Sequence, residues 1–265
     1  MSESPMIREP QATGFYHPDP KVLRKMVATL LDKAQPAPGG RKFTHGVVPH
    51  AGYMYSGLAA ATLFKNLKPS DRFVILGVDH YSNCSDICIH TYDSWQTPLG
   101  KVNVDEKLRD ALLKIEPEVT CSSQEHSIEV QLPFLQTTNP KFTFLPITIP
   151  HVSMERIREL GSVLARLKTP IIASSDLTHY MPKQKCMELD ALAIDQMVTA
   201  NPAGLISVVR DYDISMCGAY PVAVLLASLP RGSQGPCGEL LAYYTSGDVT
   251  GSYGDVVGYA AVGFP

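Results

Sequence analysis

Little in this chain commits it to a nucleic acid, a membrane or a nucleotide. Its 23 Lys and Arg are offset by 26 Asp and Glu, for a formal charge of −3. No basic run exceeds two residues, so no polyanion-binding patch is expected. No apolar run approaches the roughly 20 residues that a membrane-spanning helix needs. The opening residues, MSESPMIREPQ, lack the apolar core of a secretory leader. No glycine-rich phosphate loop is present, neither GxGxxG after the first strand nor a P-loop, which argues against nucleotide-dependent chemistry. Cysteine is sparse and scattered: six residues, at 84, 88, 121, 186, 217 and 237. The Cys84-x-x-x-Cys88 spacing lacks the second pair of a zinc knuckle, so the cysteines read as free thiols in a reducing cytoplasm. Linkers, internal repeats and low-complexity segments are also missing, and residues 1–265 read as one domain.

Apolar residues, by contrast, make up 45% of the chain, enough for a sizeable core, and its 21 prolines fall at element borders. Short β-branched runs alternate with stretches of helical spacing. Strands are expected over 45–49, 72–78, 87–92, 101–104, 142–149, 170–173, 240–245 and 256–263. Helices are expected from Asp19-Pro20 to before Pro36 and over 56–67, 106–115, 127–135, 154–167, 187–199, 202–209 and 219–229. Ser56 is the expected N-cap of the second helix. This alternation implies an α/β fold, a three-layer αβα sandwich with a mostly parallel central sheet.

The chemistry gathers where strands should end. Val47-Val48-Pro49-His50-Ala51-Gly52-Tyr53 and Phe73-Val74-Ile75-Leu76-Gly77-Val78-Asp79-His80 each run from apolar strand to histidine. In open α/β sheets ligands bind beyond the carboxyl ends of strands, so His50 and His80 are candidate metal ligands. Ile171-Ile172-Ala173-Ser174-Ser175-Asp176 repeats the pattern with a carboxylate, and His179 follows as a candidate acid/base group. In Glu125-His126-Ser127-Ile128-Glu129, residues 126 and 129 would share a helix face. His126 is a candidate pocket or catalytic residue; Tyr53, Glu129 and Asp176 are candidate substrate contacts. Tyr244-Thr245-Ser246-Gly247-Asp248 places a carboxylate in a glycine-containing turn. As a ligand, Asp248 would complete a two-His, one-carboxylate set of the non-haem iron(II) type; as a turn residue it would be there for local reasons. Cys217 opens a helix, where it is either a stabilised thiolate or a packed side chain. His17, His45, His90 and His151 lack such settings and read as structural or surface residues.

These strings, together with Tyr55-Ser56-Gly57, Gln131-Leu132-Pro133-Phe134, His179-Tyr180, the segment from Arg8 to Tyr16 and the closing Gly258-Tyr259-Ala260-Ala261, resemble the Memo family in order and spacing over essentially the whole chain. The microbial members are known as AmmeMemoRadiSam system protein B. The resemblance implies the fold of class III extradiol dioxygenases. It also implies a metal on His50 and His80, and His179 in the place of the acid/base histidine of those enzymes. Animal Memo proteins use a cysteine near the third ligand, where this chain has Asp248. The implied activity is iron(II)-dependent cleavage of a catechol-type ring with O2, with Cu, Zn or Mn as alternative metals. Two rival readings are a non-catalytic metal- or peptide-binding scaffold and a zinc hydrolase. A functional link to radical-SAM and AMMECR-type proteins is implied too, and self-association is left open.

Overall fold

The continuous apolar runs become the middle of one sheet. The computed structural model describes residues 5–82, 84–114, 124–230 and 238–265. Four strands form its parallel centre: β2 (His45–Val48), β3 (Arg72–Val78), β7 (Thr143–Ile149) and β8 (Ile171–Ser174). Three antiparallel strands complete it, namely β4 (Cys88–Ile89) on one side and β10 (Gly258–Phe264) then β9 (Glu239–Thr245) on the other, in the order β4-β7-β3-β8-β2-β10-β9. Two reversals restore direction, so β9 runs the same way as β2, and five of the seven strands share one direction. A small sheet of β1 (Ile7–Arg8), β5 (Ser94–Thr97) and β6 (Gly100–Asn103) flanks it.

Why β3 can be apolar throughout follows from its two neighbouring layers. Phe73 and Ile75 join one core, and Val74 and Leu76 the other, the alternation that the period of a strand demands. All four are fully buried, as in a parallel strand covered on both faces; each such side chain contributes about 1.5–3 kcal/mol. The first core is closed by α1 (Pro20–Lys33), α2 (Tyr53–Asn66) and α4 (Leu132–Thr138). The second is closed by α3 (Glu106–Leu113), α5 (Met154–Leu167), α6 (Lys183–Val198), α7 (Pro202–Asp211) and α8 (Ala219–Ser228). A ninth helix, α9 (Ser246–Thr250), is a single short turn after β9. The αβα sandwich expected from the sequence is therefore the fold observed.

Several local expectations are corrected. The second helix starts at Tyr53 with Gly52 as N-cap; Ser56 lies inside it, and its hydroxyl donates to the Ala51 carbonyl at 2.9 Å. The expected helix over 127–135 is instead a turn, a 3-10 helix (Glu129–Gln131) and then α4. The strand expected over 87–92 shortens to two residues. Helix 106–115 ends at Leu113, its last expected residue lying outside the described ones. Cys88 is disulfide-bonded, so the reading of all six cysteines as free thiols fails for it; Cys84, Cys186 and Cys217 are free, and Cys121 and Cys237 lie outside the described residues. No described helix is long and apolar enough to cross a membrane.

Candidate metal centre

Because β2, β3 and β8 are parallel neighbours, their carboxyl ends coincide. His50 lies two residues beyond β2, His80 two beyond β3 and Asp176 two beyond β8. His126 arrives from the irregular segment before the 3-10 helix, and its approach depends on Gly77. A Cβ there would stand 2.4 Å from Ile128 Cγ1 and 2.7 Å from Ser127 Oγ. The missing side chain lets Ser127 sit on β3, where its hydroxyl accepts from Val78 N at 3.0 Å. The result is a cluster in which His50, His80 and His126 each offer a ligand atom within 4.8 Å of the others.

Hydrogen bonding fixes the ring tautomers of two of them. Ser174 Oγ donates its one proton to the Ser127 carbonyl at 2.8 Å and accepts from Gln131 Nε2 at 2.9 Å. The 2.9 Å contact between His50 Nδ1 and that oxygen must then be an N–H donated by the ring, which leaves a lone pair on His50 Nε2. His80 Nδ1 lies 3.0 Å from Glu125 Oε1. Burial opposes ionisation of Glu125, but the His80 contact, the Ser127 amide and the charge of His126 outweigh it and hold the carboxyl far below its usual range. An ionised carboxylate only accepts, so His80 Nδ1 carries the proton and Nε2 is free. Glu125 also accepts from the amides of His80, His126 and Ser127 at 3.0, 2.9 and 2.8 Å. This carboxylate–histidine arrangement is the one that orients metal ligands.

Burial first, then the neighbouring histidines, pushes His50 well below 6.5. Burial also brings His126 down to about 4, against the opposing pull of Glu125. Both rings are neutral at pH 7, the state that ligates. His126 stacks between His80 and Phe15, at centroid distances of 4.7 and 3.9 Å, and its Nδ1 is buried with no hydrogen-bond partner. An orphaned nitrogen beside two oriented imidazole lone pairs is a donor set that fits a borderline cation such as zinc or iron(II).

Asp176 meets the cluster from β8. Its Oδ1 accepts from the His50 and Ala51 amides at 2.9 and 3.3 Å, and Oδ2 lies 3.9 Å from His50 Nε2. Burial raises its carboxyl above the ordinary value. His179 is near enough for its charge to act on both His50 and Asp176. Its Nδ1 faces the Ser215 carbonyl at 2.9 Å and so carries a proton, leaving Nε2 as the exchangeable site.

Three expected site residues stand elsewhere. Asp248 follows β9, and β10 separates β9 from β2, a distance of roughly 10 Å at two strand spacings. Its carboxylate caps α9 through Thr245 N and Oγ1, both at 2.9 Å, and pairs with Lys183 at 2.5 Å. Among the described residues it is His126, not Asp248, that groups with His50 and His80. Tyr53 points into the core, its hydroxyl donating to the Val130 carbonyl at 2.5 Å and its ring packing on Phe134. Glu129 turns away from His126 because the segment is not a regular helix; it pairs with buried Arg8 at 2.5 Å and accepts from Tyr16 and from the amides of Gln11 and Ala12.

The roles of Glu125, Ser174 and Gln131 were not read from the sequence. Only the adjacency of Glu125 to His126 hinted at one of them. Each of the other four histidines has a local contact. His17 Nδ1 accepts from Asp19 N, His45 Nδ1 from Ile171 N, His90 Nε2 meets Thr148 Oγ1, and His151 packs on Tyr220.

The family model described as Memo-like protein matches residues 8–263. A MEMO1 family protein of Methanopyrus kandleri is 38% identical, over 98% of this chain and 99% of the relative. Another, of Aquifex aeolicus, is 34% identical over 97% and 99%. The fold is shared with the uncharacterized protein JW3007 from Escherichia coli K12, at TM-score 0.55 and 12% identity, over 82% of this chain and 98% of that one. With a family model covering nearly its whole length and relatives matched end to end, the chain belongs to the Memo-like family.

Proposed function

We propose that this protein is an extradiol-type dioxygenase that holds iron(II) on His50, His80 and His126 and acts on a catechol-type substrate. The observation that carries the proposal is the fixed tautomer of His50 and His80, whose Nδ1 atoms carry the protons and whose Nε2 lone pairs face the shared carboxyl edge of three parallel strands. Iron(II), when bound, supplies the one-electron chemistry by which O2 can react with an aromatic ring. The three imidazoles add no negative charge, so the site favours an anionic chelating ligand such as a catecholate. Asp176 and His179 stand beside it as the groups that accept and return protons; His179 Nε2 is the free position. A hollow at the opposite end of the sheet, against Asp71, Arg72 and Thr143, has no histidine or cysteine in its lining.

Anaerobic loading with Fe(II), followed by O2 uptake over a panel of catechols including dihydroxyphenylalanine and caffeate, tests the proposal. A yellow ring-cleavage product that is lost in His50→Ala and strongly reduced in His179→Gln is expected. Tight iron binding with no turnover on the whole panel would favour the second reading, a non-catalytic metal-binding protein. That reading draws on one observation, the Cys217 thiol 3.2 Å from His50 Nε2, nearer than the Asp176 carboxylate at 3.9 Å.

A further inference from the structure

Tyr180 directly follows His179 and adopts a conformation that a tyrosine rarely takes. Its φ is +56°, in the left-handed region that glycine and asparagine tolerate and a bulky side chain seldom enters. Both neighbours are fixed. His179 N donates to Ser215 Oγ at 2.8 Å and its Nδ1 to the Ser215 carbonyl at 2.9 Å, while the Met181 carbonyl accepts from Val256 N at 2.9 Å. The turn between these anchors sets the backbone, and a glycine would make it without strain. The tyrosine does not fill the core: it is 75% exposed. The ring it meets is that of His179, at a centroid distance of 5.8 Å and an interplanar angle of 58°. Backbone strain that brings no packing in return points to a ligand-facing position. β3, the strand beside β8, repeats the arrangement. Tyr81 directly follows His80, is 49% exposed, and precedes Ser82 at φ +52°. The edge that carries the site histidines thus presents an exposed aromatic ring immediately after two of them.

We propose that Tyr180 binds the part of the substrate that lies outside the metal centre, and that the substrate is a catechol carrying a planar aromatic extension rather than a single ring. This rests on the reading that the site takes a catechol. One end of such a molecule occupies the histidine cluster, and the extension passes His179 to lie against the open face of the Tyr180 ring. Two aromatic rings attract through the quadrupoles of their π systems, which a saturated ring of similar size lacks. The selection is therefore for aromatic character and not for bulk. Because the backbone on both sides of Tyr180 is anchored, little of that attraction is spent on ordering the chain.

The probes are 4-methylcatechol, 4-cyclohexylcatechol and 4-phenylcatechol, titrated anaerobically by calorimetry into the Fe(II)-loaded full chain. The wild type should prefer 4-phenylcatechol to 4-cyclohexylcatechol. Tyr180→Asn, which suits the left-handed turn, should lower that preference about three- to tenfold, the range that one aromatic pair contributes. Tyr180→Phe should keep it. Any electronic difference between the catechols is common to all variants, so the change in preference reports the ring at position 180. Affinity for 4-methylcatechol should be the same in all three proteins, and the urea midpoint of metal-free Tyr180→Asn should equal or exceed that of the wild type. An unchanged preference in Tyr180→Asn, or an equal loss in Tyr180→Phe, would overturn the role of Tyr180 and leave the catechol reading standing. A fall in 4-methylcatechol affinity or in the urea midpoint of Tyr180→Asn would overturn it as well, by making the tyrosine a structural support of His179. No binding of any of the three catechols by the iron-loaded wild type would overturn the catechol reading and this inference with it.

Discussion

Asp176 and Asp248 look alike in sequence: each is a carboxylate two or three residues beyond a strand, on the same edge of the sheet. In the fold they belong to different regions. Asp176 follows β8, a direct neighbour of both β2 and β3, and is buried against His50. Asp248 follows β9, the outermost strand, and spends its oxygens on a helix cap and a surface lysine. A strand-end motif delivers a group to the edge; the order of strands decides which groups meet.

The inner region should dominate the acid response. Four buried or half-buried histidines are held below their ordinary 6.5, with burial the leading cause: His45 and His126 at about 4, His90 at about 3, and His50 well below its ordinary value. Between 6.5 and those values the unfolded chain binds more protons than the folded one, so stability falls as pH falls. The metal-free protein should lose several kcal/mol between pH 6.5 and 4 in denaturant titrations. Asp248, lowered mainly by its Lys183 hydrogen bond, adds pH dependence only below its ordinary value of 3.8. A flat stability profile from pH 7 to 4 would remove the distinction between the two regions.

Within the inner region, two glutamates four residues apart separate support from site chemistry. Glu129→Ala leaves buried Arg8 without its partner and should cost about 3–5 kcal/mol of stability. Any folded fraction should bind metal as the wild type does, since Glu129 touches no histidine of the cluster. Glu125→Gln removes the acceptor that orients His80; its main effect should be a 10–100-fold loss of metal affinity, measured by competition with a chromogenic chelator. Equal affinities for the two variants would sink the assignment. At the outer region, Asp248→Ala should cost only about 1 kcal/mol through the lost cap, visible as a small shift of the urea midpoint.

His50 and His80 were legible because continuous apolar runs end at them, and a run buried on both faces has to be a central strand. The layer architecture was legible for the same reason. His126 was visible as a candidate, but its place depended on the close approach of Ser127 and Ile128 over Gly77, a long-range contact that no local spacing encodes. Asp248 was misplaced because the reading of strand ends carries no strand order, and a β10 strand interposed between β2 and β9 leaves no local mark. Tyr53 and Glu129 sit in motifs whose neighbours are functional, yet both serve the packing of the segments that carry the histidines. Cys217 was weighed and left open; only the fold brings residue 217 to residue 50.

The most direct measurement is metal stoichiometry, by elemental analysis after anaerobic loading with Fe(II), in His126→Ala and Asp248→Ala side by side. Three histidines as the ligand set predict that Asp248→Ala retains the wild-type metal content and His126→Ala loses it. Retention in His126→Ala with loss in Asp248→Ala would contradict the account and restore a two-histidine, one-carboxylate centre.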